Sequence, residues 1–157
     1  MQGRSRQGTV SRISSVTRDD GFTIIELLVV LVMIGILAAI ALPTFLRQTN
    51  KGQDASAEAN ARTLAVQIES CNLDQNGYTM PACEQPTNAG IPTDPYGTTV
   101  PAPGHVAVAS AAPGGYTIVS ASASGGLFVI ARDPSTGLPS RWCTRPGQGS
   151  CPQSGVW

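Results

Sequence analysis

Residues 27–42 read LLVVLVMIGILAAIAL, sixteen positions without a polar side chain. The apolar character reaches from Phe22 to Leu46, broken only at Thr23, Glu26, Pro43 and Thr44. These twenty-five residues at helical rise span about 37 Å, more than the ~30 Å hydrocarbon layer of a bilayer. Beyond Arg47 the period stays helical and the composition turns amphipathic. Ala57, Ala61, Leu64, Ile68 and Cys71 recur every three or four positions as one stripe. Glu58 and Arg62 occupy another face, four apart and in the favourable order. Apart from a weak break at Asn50-Lys51-Gly52, nothing separates the two patterns. The spacing predicts one helix over roughly 23–72, its first half in lipid and its second half packed on an exterior domain.

The region 72–104 carries Asn76-Gly77 and prolines at 81, 86, 92, 95, 101 and 103, which forbid a long regular element. Alternating runs follow at 105–110, 116–122, 127–132 and, more weakly, 140–144. They are joined by Pro113-Gly114-Gly115, Ser124-Gly125-Gly126 and Asp133 to Gly137. Short connectors between such runs predict antiparallel hairpins. The expected fold class is α+β: a long N-terminal helix packed on a small C-terminal antiparallel sheet over about 105–144, with a disulfide-clamped tail.

Charge is sparse, at 13% of 157 residues and zero net, and its placement matters more than its amount. Arg4, Arg6, Arg12 and Arg18 lie ahead of the apolar run, where basic residues hold that end in the cytoplasm. From Phe22 onward there are six basic and eight acidic side chains. A dedicated nucleic-acid binder needs a basic face to displace counterions; Arg132, Arg141 and Arg145 are the only candidates for one in the exterior part, and no specific nucleic acid is expected. With 41% apolar residues the chain is not generally disordered.

Glu26 is the anomaly. A carboxylate in a membrane helix costs about 2.5–3.5 kcal/mol at mid-bilayer and less near the interface, and no cation in the same helix lies near enough to offset it. Its natural partner is an amino group created by cutting just before Phe22, on this subunit or a neighbour. The leader, the junction Gly21-Phe22, Glu26 four residues on, the unbroken apolar helix and Pro43 together resemble the type IV pilins and the pseudopilins of type II secretion. The resemblance covers about 25 residues in sharp motif and the remainder in architecture alone. It implies that a prepilin peptidase cuts after Gly21, so that 1–21 is a cleaved leader, and methylates the new amine of Phe22. It implies that Glu26 meets the Phe22 amine of a neighbouring subunit, that 22–46 forms a membrane and filament-core helix, and that 47–157 is the exterior domain. Gly35 and Pro43 weaken the helix, by about 1 and 3 kcal/mol relative to Ala. In related pilins the segment between such residues loses helical structure in filaments; the alternative is a kink at Pro43. The implied partners are further copies of the chain, the peptidase, a membrane platform protein and a cytoplasmic assembly ATPase. The implied location is a single-pass cytoplasmic-membrane precursor and then a surface filament, as a pilus subunit. A pseudopilin and a minor pilin for adhesion or DNA uptake are the alternatives.

An ordinary signal peptide, with Ala39-Ile40-Ala41 as its cleavage match and maturity near Leu42, competes with this reading, as does an uncleaved anchor. Glu26 serves neither. The cysteines imply an oxidising compartment. They form two local sets, Cys71 with Cys83 and Cys143 with Cys151, which favours those two links over a crossed pairing. Each would constrain the unfolded chain by about 2–3 kcal/mol. No CxxC spacing occurs and His105 is the sole histidine, so no metal is expected; His105 reads as an ordinary residue at a strand start. No GxxxxGK[ST], HExxH or GxSxG occurs, which leaves no cofactor implied and a non-enzymatic role. Asp133 heads a turn that lacks the acidic ligands of a calcium loop. Thr93-Asp94-Pro95-Tyr96-Gly97 resembles a segment of major pseudopilins and reads equally as a turn. Trp142 and Trp157 either cover a sheet face or mark a surface patch.

Overall fold

A computed structural model describes residues 21–75, 77–78, 83 and 90–157. The leader arginines, Asn76, Pro81 and Pro86 lie outside the described residues. The chain divides into two units between Ala39 and Ile40. A helix, α1 (Ile24–Gln75), carries the apolar run and the amphipathic stripe. It runs three residues past the expected end, and Gly77 follows as the first strong breaker. In the first unit the large side chains, from Phe22 to Leu37, are all exposed. α1 is long and apolar enough to cross a membrane.

The second unit holds the core. Strands β1 (Val106–Ala112), β2 (Gly115–Ala121), β3 (Leu127–Arg132) and β4 (Pro139–Cys143) form one antiparallel sheet in chain order. The register sets Val108 beside Ile118, Ile118 beside Ile130, and Ser120 beside Phe128. Because side chains alternate across a strand, these residues share the face that meets α1. There Ala61, Leu64 and Ile68 pack with Val106, Val108, Tyr116, Ile118 and Ile130. Ala57 joins Phe128 and the Cys143 and Cys151 sulfurs in a second cluster. Truncating Leu64 or Phe128 to Ala would cost on the order of 2–5 kcal/mol.

β1 starts one residue later than the pattern suggested and ends two residues further on, absorbing a register break between Val108 and Ser110. His105 stays outside the strand because its N–H donates to the Ala102 carbonyl at 2.9 Å and its ring engages Asp94. The β1–β2 hairpin closes at Gly114, with φ 88°. A Cβ there would press on the Pro134 carbonyl, so glycine is required on both counts. Other chain packs along the β1 edge and at the end of β4. Along β1, the Val106 N–H donates to Pro92, while Asp94 and Gly97 donate to Val106 and Val108. Along β4, Cys143 donates to Gly155 and the Trp157 indole to Trp142.

Candidate functional site

The start of α1 is built by Thr23. Its carbonyl accepts the Leu27 N–H at 3.3 Å, and its hydroxyl oxygen accepts the Glu26 N–H at 3.3 Å. Glu26 answers: its Oε2 accepts the Thr23 N–H at 2.9 Å and the Thr23 hydroxyl at 2.8 Å. This is a reciprocal capping box, which satisfies two of the N–H groups that a helix start leaves unpaired. Phe22 precedes it, 87% exposed, and a Cβ placed at Gly21 would touch nothing within 4 Å. Among the described residues nothing packs against the Gly21-Phe22 peptide, which lies one residue ahead of the box. Both bonds to the carboxylate converge on one oxygen, and neither uses an atom that a cut at this peptide would remove.

Residues 17–42 match the family described as the prokaryotic N-terminal methylation motif. The chain is 38% identical over 68 residues to the type IV narrow pilus major component PilA5 of Thermus thermophilus, covering 43% of this chain and 57% of that one. It is 38% identical over 61 residues to the type IV major pilin protein PilA of Myxococcus xanthus, covering 39% and 28%. Over these stretches the chain is similar to type IV pilins. It is likewise similar to the type II secretion system core protein G of Dickeya chrysanthemi, 32% identical over 80 residues, covering 50% of this chain and 51% of that one. The matched stretches thus span about half, or less, of these relatives' lengths.

Gly35 and Pro43 both lie within α1. Pro43 supplies no N–H to the helical ladder, and the Thr44 hydroxyl beside it donates to the Ala41 carbonyl at 2.8 Å. Cys71 is bonded to Cys83 and Cys143 to Cys151. The second link shapes a loop that α1 grips with two carboxylates. Asp54, only 3% exposed, accepts the Ser150 N–H at 2.8 Å and the Ser124 hydroxyl at 2.5 Å; Glu58 accepts the Ser150 hydroxyl at 2.6 Å.

Arg132, Arg141 and Arg145 are each engaged separately. Arg132 pairs with Glu69 at 2.9 Å, Arg141 lies over the Trp157 ring, and Arg145 donates to the Ser124 carbonyl at 3.2 Å. Trp157 sits edge-on to Phe128 on the α1 side of the sheet, whereas Trp142, opposite Val129, is on the other face. His105 and Asp94 meet at 2.8 Å. The Ala102 N–H, followed by the imidazole, holds the Asp94 carboxyl below its usual range. The Asp133 carboxyl is drawn down to about 2 by the Ser135 hydroxyl and by the Thr136 and Ser135 N–H groups, the bonding of a turn. Two roles escaped the sequence reading. Thr23 was detectable, since T-x-x-E ahead of an apolar run signals a capping box. Glu69 was not, because its partners come from distant parts of the chain.

Proposed function

We propose that this chain is the structural subunit of a type IV pilus-like filament, inserted in the cytoplasmic membrane as a precursor and exported to the cell surface by polymerisation. Cleavage follows Gly21, methylation falls on Phe22, and residues 22–46 form the filament core with 47–157 outside. Further copies of the chain, a prepilin peptidase, a membrane platform and a cytoplasmic ATPase are the partners; the chain itself performs no catalysis. The observation that carries this reading is a carboxylate four residues past an unobstructed Gly-Phe peptide, at the head of an exposed apolar helix. Leaving lipid for a helix bundle gains little from hydrophobic burial, so geometry must come from packing and polar registry. One oxygen of Glu26 is taken by Thr23; the other is left to a neighbour's Phe22 ammonium, a pair that penalises wrong axial offsets. The capping box limits the cost of the acid while it waits in the bilayer.

Glu26→Gln separates the two duties. Glutamine still accepts the Thr23 N–H and carries no charge, so membrane insertion persists. Assembly loses a buried ion pair, about 3–5 kcal/mol per contact when one partner is removed. Sheared fibres should therefore disappear from electron micrographs while the processed subunit accumulates in the membrane fraction. A normal fibre yield would refute the pairing, and a mature terminus other than methylated Phe22 by mass spectrometry would refute the processing. The second reading, a pseudopilin of a short secretion fibre, draws support from the similarity to type II secretion core protein G. It predicts fibres only on overproduction and a secretion defect on deletion.

A further inference from the structure

Six cations lie beyond Phe22, and four are engaged within the chain. Arg62 pairs with Glu58 at 3.4 Å and lies over Trp157; Arg132, Arg141 and Arg145 hold Glu69, Trp157 and the Ser124 carbonyl. Arg47 and Lys51 have no such partner among the described residues. They stand four apart on α1, hence on one face. With Asn50, Gly147, Gln148 and Gly149 they line an open cleft of about 480 Å³.

The cleft is a shaped feature. Its far wall is the loop closed by Cys143–Cys151, and that wall is held as bare backbone. A Cβ at Gly149 would overlap the Asp54 carboxylate, and one at Gly147 would strike the Gln153 amide. Both glycines also have positive φ, 59° and 77°. The acid on the next turn, Asp54, is committed to Ser124 and Ser150, and Glu58 beyond it to Ser150 and Arg62. Two unpaired cations and two side-chain amides therefore face an opening without a carboxylate of its own. Arg47 directly follows Leu46, the end of the apolar run, which in an anchored chain is the depth of the lipid phosphates.

We propose that this cleft binds the phosphate headgroup of an anionic phospholipid while the subunit resides in the membrane. The guanidinium fork of Arg47 matches phosphate oxygens bidentately, and Lys51 adds a point charge. Cations at an anionic membrane surface are each worth roughly a fivefold preference, on the order of twentyfold for two. The inference rests on the membrane-anchored part of the proposed function and not on the filament. Release of the headgroup then accompanies extraction of the subunit from the bilayer.

The test is native mass spectrometry of the full chain in non-ionic detergent, titrated with phosphatidylglycerol and, separately, phosphatidylcholine. Vesicle insertion is assayed in parallel. The wild type should prefer phosphatidylglycerol, and Arg47→Gln/Lys51→Gln should abolish most of that preference, on the order of twentyfold. Arg141→Gln should retain it, and Arg47→Lys should retain part of it. Unchanged thermal melting of the double variant establishes that its fold persists. Equal lipid preference in the double variant overturns the proposal. So does displacement of the lipid by equimolar inorganic phosphate, which would mark a soluble-anion site. Absence of binding in the wild type, with Arg47 or Lys51 cross-linking to a neighbouring subunit's carboxylate in fibres, would make the cleft a subunit contact instead. A chain that inserts into neither lipid sinks the anchor reading and this one with it; insertion without preference sinks this one alone.

Discussion

At the scale of single residues, Glu69 joins three parts of the second unit. Its carboxylate accepts the Tyr78 hydroxyl at 2.8 Å, the Tyr116 hydroxyl at 3.0 Å and an Arg132 N–H at 2.9 Å. Burial first, and then the Glu69 charge, pushes the Tyr116 hydroxyl well above its ordinary value, and Tyr78 moves the same way. Glu69→Ala strands two hydroxyls and a guanidinium at once, and should cost about 2–4 kcal/mol in a denaturant titration. Glu69→Gln, which keeps an acceptor, should cost less. The tyrosines also set an alkaline limit. Unfolded tyrosine ionises near pH 10 and the folded hydroxyls ionise later, so the unfolded state sheds its protons first. The stabilisation is complete below about pH 10 and is lost as pH rises through the folded values. The urea midpoint should therefore fall more steeply above about pH 10 in the wild type than in Tyr116→Phe; parallel curves would count against the network. None of this was visible in the sequence, because Tyr78, Tyr116 and Arg132 reach Glu69 across 9, 47 and 63 positions. The Gly21-Phe22-to-Glu26 spacing is local chemistry written in consecutive letters, which is why it stood out.

At the scale of elements, period and punctuation carried the information. The stripe Ala57-Ala61-Leu64-Ile68 faces the sheet because a 3.6-residue repeat leaves it no other way to leave water. All four strands lie within two residues of where alternation and glycine-rich turns put them. What the pattern could not supply was the packing of irregular chain. The segment 92–97 lies along β1 by backbone hydrogen bonds and the tail meets the last residue of β4 through one more, from Cys143 N–H to Gly155, and such bonds are indifferent to side-chain identity. The Cys143–Cys151 loop is the strongest example. Its closure over a separation of 8 residues is worth about 2.5 kcal/mol in the chain-entropy model. It also presents Ser150 to Asp54 and Glu58. Replacing both cysteines with serine should lower the unfolding free energy by about 2–4 kcal/mol. It should also speed amide exchange at Ser150 before that of β2. An exchange rate at Ser150 equal to the wild type would show that the carboxylates hold the loop without the link.

At the scale of the whole molecule, burial is confined to one stretch of sequence, and the association proposed above belongs to another. Every buried residue described lies between Asp54 and Gly155, and none of the apolar run from Phe22 to Leu46 is buried. A β-sheet with open edges would offer a second route to polymers, by strand addition. Here the β1 edge carries Pro92 to Gly97, and the tail from Gly155 to Trp157 holds the end of β4 at Trp142 and Cys143. In the proposed filament, growth through the apolar helix would then compete less with edge-to-edge aggregation of the sheet units, which would crowd together on a fibre surface. A fragment comprising 47–157 should accordingly fold with the same disulfides. Sedimentation should find it monomeric even at millimolar concentration, where unprotected sheet edges associate. Deleting 152–157 from that fragment uncovers β4 and removes Trp157 from Phe128, and should convert the monomer into a thioflavin-positive aggregate. If the intact fragment polymerised by itself, the association surface would have to lie on the exterior domain, and the apolar helix would be reduced to a membrane tether.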